Sequence, residues 1–425
     1  MKYSKYNFLK EINGKFYILN IFTSSYIELS REEYFQILYN KSINDSLFLR
    51  LKNCGMVLTD DVDEIKILKD RYYENQKKKD LLTITIAPTL RCNFCCSYCY
   101  ENKNGKIIDE ISQGKIINFI EKQLQLGYSK FNLIWFGGEP LMAYSIIRKM
   151  SYKIIEICKK YQVDYNSYMT TNGYLLTDNI IEELPLLKIN QLYITLDGLA
   201  QIHNKRRFLL DGGSTYDVIV ANLQKLKKKN INTVVRMNID KTNFNKIEEL
   251  RKFVSNQLQL PIYLGLVRQY TTSCLNENIY FNKEEYSQIL DIFESNLEKD
   301  GMFNFTLPRQ LPIYCRACKV GTFVIDPDLN IFKCENDIGR YEKRISTIDD
   351  YPFDCELTQI YNKSYYEWNP FNYPTCLECN ILPICTGGCP YIGIKNNIPE
   401  CEIYKYDIDK RIKKYILKID SDSGH

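Results

Sequence analysis

The chain has 425 residues, 45% of them apolar, which is enough to fill one large hydrophobic core and one or two small ones. Its 56 lysines and arginines nearly balance its 52 aspartates and glutamates, so charge gives no reason to predict nucleic-acid or membrane binding. No stretch approaches the roughly 20 apolar residues of a membrane span, and the amino terminus lacks an apolar signal core. We therefore expect a cytoplasmic protein.

The 16 cysteines are the unusual feature of the composition. Four lie between positions 92 and 99 and nine between 315 and 401, while Cys54, Cys158 and Cys274 are scattered. A reducing compartment disfavours disulfides and favours metal ligation. With only His203 and His425 available, a metal site must be rich in thiolates, as in iron-sulfur clusters or zinc held by four cysteines.

In chain order, residues 1–75 predict a small α+β unit. Strand-like runs at 15–21 and 25–29 precede helical patterns at 31–39 and 46–53, and Gly55 is a plausible helix stop. Such a unit could present a free sheet edge to a partner.

Strands and helices alternate from about residue 81 to residue 267. Strand candidates are 82–87, 132–135, 165–169, 192–196, 233–237 and 262–265. Helical stretches are 112–126, 145–161, 179–187, 216–228 and 246–258. Six βα units predict a parallel sheet with right-handed crossovers, either open or curled into a partial barrel. A helix near 283–299 precedes a loop-rich, cysteine-rich end that we expect to fold around its metals.

The loop Cys92–Cys99 follows the first of these strands with the spacing CxxxCxxC. Cys92, Cys96 and Cys99 can hold three irons of a [4Fe-4S] cube and leave the fourth iron open. A fully ligated cluster mainly carries electrons, whereas an open iron can bind and activate a small molecule. Cys95 lies outside the spacing, and we predict that it is a bystander.

Polar residues and glycines also follow the later strands, where parallel α/β folds place their sites. These segments are Phe136-Gly137-Gly138-Glu139-Pro140, Thr170-Thr171-Asn172-Gly173, Asp197-Gly198 with Arg207 further on, and Asn238. Each is weak alone, because Gly-Gly or Asn-Gly usually marks only a turn. Their recurrence at successive strand ends predicts a single site.

Together these motifs resemble the radical S-adenosylmethionine (radical SAM) superfamily, including the aromatic Tyr98 before the last thiol and the Asp197-Gly198…His203…Arg207 stretch. The resemblance covers about residues 80–270 and implies a partial (β/α)6 TIM barrel at residues 80–305. It also implies S-adenosylmethionine bound at the open iron, reductive cleavage to a 5′-deoxyadenosyl radical, anaerobic chemistry, and an external low-potential electron donor such as flavodoxin or ferredoxin. The implied cofactor-binding residues are Gly137, Gly138 and Glu139 at the methionine amine, Thr171 and Asn172 at the ribose, Arg207 at the carboxylate or ribose, Asn238 on the adenosine side, and Tyr98.

A second cysteine pattern lies near the carboxy terminus. Taken alone, this cysteine pattern favours a zinc site. Downstream of a radical SAM loop it resembles a SPASM domain, which carries two auxiliary [4Fe-4S] clusters. We place this domain at residues 310–410, before a tail at 411–425. The resemblance implies Cys318, Cys334, Cys389 and Cys315 for the first auxiliary cluster, with Cys355 as an alternative fourth ligand, and Cys376, Cys379, Cys385 and Cys401 for the second. These clusters could accept an electron or bind a substrate thiolate. Leu329 stands where the family usually has glycine, although a type I turn around Pro327 and Asn330 could still form.

Residues 1–75 resemble winged-helix-like units that bind leader peptides by adding them to a sheet edge, although a plain structural cap is an equal alternative. With the SPASM pattern, this predicts a ribosomal-peptide maturase that acts on a precursor peptide with a leader and forms a thioether or carbon-carbon crosslink. The first alternative is an anaerobic sulfatase maturase, in which Glu335, directly after Cys334, would act as the catalytic base. The second is a non-enzymatic iron-sulfur or zinc scaffold.

Overall fold

The computed structural model describes residues 1–101, 105–268, 279–353 and 363–422. Cys274, Cys355 and His425 lie outside the described residues, and so does the alternative ligand role of Cys355. The chain forms two compact units. We call residues 78–282 and 319–366 the sheet unit, and residues 1–77, 283–318 and 367–425 the terminal unit. No described helix is long and apolar enough to cross a bilayer.

The sheet unit is built on a mixed sheet of nine strands. All six predicted strands are present, parallel, and adjacent in the order of the sequence. They are Leu81–Ile86, Lys130–Trp135, Asp164–Thr171, Ile189–Thr195, Thr233–Ile239 and Ile262–Leu266. The predicted α/β class with a parallel central sheet is therefore confirmed.

Helices separate these strands in the sequence. They are Glu110–Leu124, Tyr144–Lys160, Asp178–Glu183, Ala200–Arg206, Tyr216–Lys228 and Ile247–Lys252, with short 3-10 turns at Pro140–Ala143 and Phe244–Lys246. Side-chain caps start two of them, because Asp109 accepts from the Ser112 N–H at 2.7 Å and Thr177 from the Ile180 N–H at 3.3 Å. The last helix was predicted to run to residue 258, but the structure continues it as a π-helix, Phe253–Leu258.

The strands bury apolar side chains on one face and carry polar side chains on the other. In the strand Thr233–Ile239, Val235 and Met237 are fully buried, whereas Arg236 and Asn238 line a cavity. Successive side chains of a strand point to opposite faces, so one face can pack into the core while the other meets a ligand.

Three strands that the sequence did not predict complete the sheet. Thr322–Ile325 lies parallel to Leu81–Ile86, and Asn330–Phe332 and Ser346–Thr347 follow antiparallel. The turn between the first two contains Pro327, as expected, and the Leu329 N–H donates to the Asp326 carbonyl at 3.1 Å. Leu329 has φ +65°, which explains why glycine suits this position.

The terminal unit begins with a three-stranded antiparallel sheet, Asn7–Ile12, Lys15–Asn20 and Ser25–Leu29, and a two-stranded pair, Lys2–Tyr3 and Val57–Leu58. Its sequence-predicted helices are present as Arg31–Leu38, Asp45–Asn53 and Lys283–Lys299. The sequence missed the strand Asn7–Ile12 and the helix Glu64–Lys77.

The cysteine-rich end contains more helix than the sequence suggested. Its elements are Arg316–Cys318, Lys363–Glu367, Pro370–Asn372, Pro374–Leu377, Leu382–Cys385, Pro390–Asn396 and Tyr404–Asp422, the first and third being 3-10 turns. The segment set apart as a tail is helical up to Asp422. One hydrophobic core joins Tyr17 and Tyr72 of the amino-terminal part with Cys376 and Ile412 of this end. The predicted domain boundaries themselves stay a prediction.

Candidate active site

The cysteine loop is anchored by backbone hydrogen bonds to the segment after the helix Ala200–Arg206. The Cys95 N–H donates to the Phe208 carbonyl at 2.8 Å, and the Ser97 N–H donates to the Arg206 carbonyl at 3.0 Å. Phe94 is fully buried, which fixes the middle of the loop in the core. Backbone hydrogen bonds and the buried Phe94 therefore fix the course of the loop between its thiols.

The three predicted ligand cysteines open onto one cavity of about 180 Å³. The lining includes Cys92, Cys96, Cys99, Tyr98, Gly137, Gly138, Thr171, Asn172, Arg207, Asn238, Thr195, Arg236, Glu101 and Arg268. Cys95 is exposed and is not among the lining residues.

Tyr98 connects the loop to three strand-end groups. Its hydroxyl donates to the Asp197 carboxylate at 2.5 Å and accepts from Arg207 at 2.7 Å and from the Asn238 amide at 3.1 Å. Asp197 is fully buried and also accepts from the Asn238 N–H at 3.0 Å. Burial raises the pKa of Tyr98 above its ordinary range, so the hydroxyl remains a donor.

Glu139 links two of the strand-end segments and is not among the residues that line the cavity. Its carboxylate is fully buried and accepts from the Thr171 hydroxyl at 2.6 Å, the Asn172 N–H at 2.7 Å and the Leu141 N–H at 3.0 Å. Burial raises the pKa of Glu139, against the lowering effect of these hydrogen bonds. Its predicted contact with a methionine amine stays a prediction.

The two glycines before Glu139 allow the chain to approach the cysteine loop. A Cβ at Gly137, where φ is +111°, would lie 2.4 Å from the Thr89 carbonyl oxygen. A Cβ at Gly138 would lie 2.4 Å from the Arg91 carbonyl oxygen. At these two glycines the backbone therefore lies against the Thr89 and Arg91 carbonyls, at the wall of the cavity.

His203 is a buried, neutral imidazole that hydrogen-bonds to residues next to the site. The Thr215 hydroxyl donates to the Arg207 carbonyl at 2.6 Å, so its oxygen accepts from His203 Nε2–H at 3.1 Å. His203 Nδ1 accepts from the Asp197 N–H at 3.3 Å. Burial, and then the positive charges of Arg207 and Arg206, lower the pKa of His203 well below its ordinary value.

The cavity carries positive charge. Burial alone would lower the pKa of Arg207, but the Cys96 thiol, the Asp197 carboxylate and the hydrogen bond to Tyr98 outweigh it and raise the pKa well above its ordinary value. The Nε atoms of Arg207 and Arg236 are buried and have no hydrogen-bond partner within the described part of the chain. These donors fit a ligand that brings a carboxylate.

The lining residues fit a thiolate-bound cluster with S-adenosylmethionine beside it. Three thiols on one wall provide an incomplete ligand set, and buried N–H donors lie among the polar residues of the strand ends. Cys92, Cys96 and Cys99 would hold the cluster, while Arg207, Asn172 and Asn238 could bind the cofactor's polar groups.

A separate four-cysteine set lies within the terminal unit: Cys376, Cys379, Cys385 and Cys401. Burial, followed by negative charge on the other three thiols, raises the pKa of Cys376 to about 12. Burial also raises the pKa of Cys385 to about 11, although the backbone N–H groups of Glu402 and Gly387 donate to its sulfur and oppose the shift. Cys376 and Cys385 belong to one hydrophobic cluster and Cys379 packs against it, so three thiols of the second predicted auxiliary set share one region.

The first predicted auxiliary set draws its cysteines from both units of the chain. Cys315, Cys318 and Cys389 belong to the terminal unit and Cys334 to the sheet unit, so this set stays a prediction. Within the described ranges, no three His, Cys, Asp or Glu side chains are grouped so that they could hold a metal ion. A cube spreads its ligands over four iron corners, so the thiols around it stand further apart than those around one ion.

Glu335, the predicted base, follows Cys334 in a short 3-10 turn and is half-buried. Its carboxylate accepts from the Thr85 hydroxyl at 2.9 Å, within the sheet unit. It is not among the residues that line the cavity.

Sequence reasoning missed the roles of Thr195, Arg236 and Asp197. Arg236 and Asn238 are two residues apart on one strand, and their alternation with apolar Val235 and Met237 was a signal that could have placed both on the cavity face. Asp197 was recognised only as a strand end, because its hydrogen bonds to Tyr98 and Asn238 cross between distant segments.

Comparisons with known proteins agree with the geometry. Residues 86–254 match the family model "Radical SAM superfamily". The chain is 23% identical to the radical SAM cyclopropyl synthase TigE of Paramaledivibacter caminithermalis, over 98% of this chain and 93% of that protein. It is also 23% identical to the cysteine-type anaerobic sulfatase-maturating enzyme of Clostridium novyi, over 79% of this chain and 97% of that protein.

Two solved structures share the fold at low identity. Native anSMEcpe with bound AdoMet and Cp18Cys peptide superposes with a TM-score of 0.61 at 17% identity, covering 79% of this chain and 99% of that chain. Streptococcus suis SuiB bound to precursor peptide SuiA superposes with a TM-score of 0.57 at 14% identity, covering 94% and 98%. Residues 86–254 are therefore a radical SAM domain, which confirms the predicted superfamily and supports an enzymatic function.

Proposed function

We propose that this chain is a radical SAM peptide maturase that crosslinks a ribosomally made precursor peptide through a thioether or carbon-carbon bond. One observation carries the proposal: Cys92, Cys96 and Cys99 line a single cavity with the polar ends of the parallel strands. The six strands would curl into a partial barrel around this cavity. When bound, the cluster and S-adenosylmethionine together would supply a 5′-deoxyadenosyl radical.

The chain's own residues would position the cofactor and exclude water. Tyr98 holds Arg207 and Asn238 against the cysteine loop, so cofactor donors and cluster ligands keep one relative geometry. Glu139 does the same for Thr171 and Asn172. These hydrogen bonds between segments would hold the donors in a fixed position for the cofactor.

Cofactor cleavage tests the enzymatic part of this proposal. The anaerobically reconstituted, chemically reduced protein should convert S-adenosylmethionine to 5′-deoxyadenosine, measured by chromatography. Cys96→Ala should reduce the product to background, because a cluster ligand is lost. Cys95→Ala is the matched control, since this neighbouring thiol is exposed and does not line the cavity. Equal product from wild type and Cys96→Ala would contradict the proposal.

Features of the terminal unit support a peptide substrate. The outer strands Asn7–Ile12 and Ser25–Leu29 each pair on one side only among the described strands, which suits addition of a leader peptide. SuiB, whose fold this chain shares, is bound to a precursor peptide in its structure. Coexpression with short peptides encoded beside the gene, followed by mass measurement, should reveal the loss of two hydrogens per crosslink.

The four-cysteine set supports at least one auxiliary cluster. If both auxiliary clusters form, iron analysis should find about twelve irons per chain, from three cubes. About four irons together with zinc would contradict the auxiliary assignment. An external low-potential donor such as flavodoxin or ferredoxin would replace the chemical reductant in the cell.

Formylglycine formation on a sulfatase is the alternative enzymatic function, favoured by the relative in Clostridium novyi. The Thr85 hydroxyl holds Glu335 in a defined position. An aldehyde on a sulfatase peptide, lost in Glu335→Gln, would establish this function in place of crosslinking. Absence of 5′-deoxyadenosine under all these conditions would instead favour the non-enzymatic scaffold.

A further inference from the structure

Arg236 is a second guanidinium in the cavity, distinct from Arg207. It lies in the middle of the strand Thr233–Ile239, two residues before Asn238 and on the same face. Arg236 does not belong to the strand-end motifs, because it lies within the strand rather than at its end.

The neighbouring arginines bind acidic or phenolic groups of the site, whereas Arg236 has a hydrogen bond to the Tyr263 side chain and no carboxylate partner among the described residues. Arg207 donates to Tyr98 at 2.7 Å, and Arg206 pairs with Asp240 at 2.9 Å. No ion pair within the described residues includes Arg236, and its buried Nε has no hydrogen-bond partner there. A guanidinium presents five N–H donors, so several remain for a ligand.

The fold keeps space for this side chain. Gly265 pairs with Asn238 on the adjacent strand, and a Cβ there would come within 2.5 Å of Arg236 Nε and 2.8 Å of Nη2. The ring of Tyr263 lies under the guanidinium, with its centroid 5.9 Å from the Arg236 Cζ atom. The space at Gly265 and the ring of Tyr263 therefore define the position of the guanidinium at the cavity wall.

The positive charge of Arg236 determines which ligand group would bind there. A partly desolvated guanidinium is costly unless an anion pairs with it, and its planar fork matches a carboxylate. S-adenosylmethionine carries one carboxylate, for which Arg207 is the predicted partner. We propose that Arg236 binds a second carboxylate, supplied by an aspartate or glutamate of the peptide segment that enters the cavity. This inference rests on the proposed function and specifies its substrate.

A pair of peptide probes tests the inference with the full chain, reconstituted and saturated with S-adenosylmethionine. The probes are acetyl-Gly-Asp-Gly-amide and acetyl-Gly-Asn-Gly-amide, whose dissociation constants ligand-observed NMR measures even in the millimolar range. The aspartyl probe should bind wild type at least about tenfold more tightly, as expected for a charge-assisted hydrogen bond. Arg236→Gln should abolish this preference, and Arg236→Lys should retain part of it.

Two further variants separate recognition from folding. Gly265→Ala keeps the guanidinium but displaces it, so it should also weaken the preference. Arg148→Gln removes an exposed arginine of the helix Tyr144–Lys160 and should leave the preference intact. Circular dichroism melting of every variant reports whether it is folded.

Three results would overturn the inference. The first is equal binding of the two probes to wild type, including no detectable binding of either. The second is a preference for the aspartyl probe that persists in Arg236→Gln. The third is a loss of S-adenosylmethionine affinity in Arg236→Gln as large as the loss for the aspartyl probe, which would assign Arg236 to the cofactor. Failure of the proposed function is seen separately, as absence of 5′-deoxyadenosine from wild type.

Discussion

The cysteine loop of the sheet unit and the four-cysteine set of the terminal unit use the same side chain in opposite surroundings. Cys92, Cys96 and Cys99 line a cavity together with polar strand-end residues. Cys376 and Cys385 are instead buried in a hydrophobic core, where burial raises their pKa values. The difference teaches that environment, rather than cysteine number alone, separates thiols that face a cavity from thiols that are packed into a core.

The largest expected effect is a difference in melting temperature between two variants, one lacking a thiol of the four-cysteine set and one lacking a thiol of the cysteine loop. Because binding of a structural metal contributes to folding, Cys376→Ala should lower the melting temperature of the reconstituted protein by many degrees. Cys96→Ala should leave the melting temperature near that of wild type, since backbone bonds anchor the loop. Differential scanning calorimetry of both variants checks this, and similar melting temperatures for the two variants would break the comparison.

A matched pair of hydroxyl deletions sharpens the comparison. Tyr98→Phe removes a hydroxyl with three hydrogen bonds and leaves buried groups unpaired, so unfolding should become easier by about 1–3 kcal/mol. Tyr6→Phe in the core of the terminal unit removes a buried hydroxyl that has no partner among the described residues, so stability should stay equal or rise. Urea titrations measure both, and a larger loss for Tyr6→Phe would contradict the hydrogen-bond account.

The dependence of stability on pH tests the role of His203, which accepts a hydrogen bond from the Asp197 N–H. The folded pKa of His203 is lowered, so its contribution to stability is complete above the ordinary value of 6.5 and is lost progressively as the pH falls from there. Protonation would place a proton on Nδ1, which now accepts from the Asp197 N–H. The free energy of unfolding should therefore decline between pH 6.5 and pH 5.

His203→Gln is the control, because it should remove most of this slope. The chain has only one other histidine, at the carboxy terminus, so the assignment is simple. A slope that is unchanged in the variant would assign the pH dependence to carboxylates elsewhere.

The smallest effect concerns the hairpin that leads to Cys334, the predicted auxiliary ligand within the sheet unit. Leu329 has φ +65°, a conformation that costs a residue with a side chain about 1–2 kcal/mol. Leu329→Gly should recover up to about 1 kcal/mol of this, less the added entropy of the unfolded glycine. Leu329→Ala keeps the Cβ and should not stabilise the protein, and a gain in thermal stability equal to that of glycine would refute the strain.

Much of the fold could be predicted because its signals are local. The six parallel strands follow from alternating apolar runs and helical periods, and their ends were placed within a few residues. The strand Thr322–Ile325 was missed because it is short, lies in a segment dominated by cysteines, and is defined by pairing with Leu81–Ile86. The helix Glu64–Lys77 was missed because charged residues surround its few apolar positions.

The amino-acid sequence by itself determined which residues could form the site, because CxxxCxxC spacing and polar strand ends are local patterns. Only the tertiary structure decided how they act together. It turned Tyr98 and Glu139 into connectors between strand ends and seated Arg236 over Gly265. It also joined the amino-terminal sheet and the cysteine-rich end in one core. The physical reason is that periodicity reports which face of an element a residue occupies, whereas hydrogen bonds and packing between elements depend on register and on partners distant in the chain.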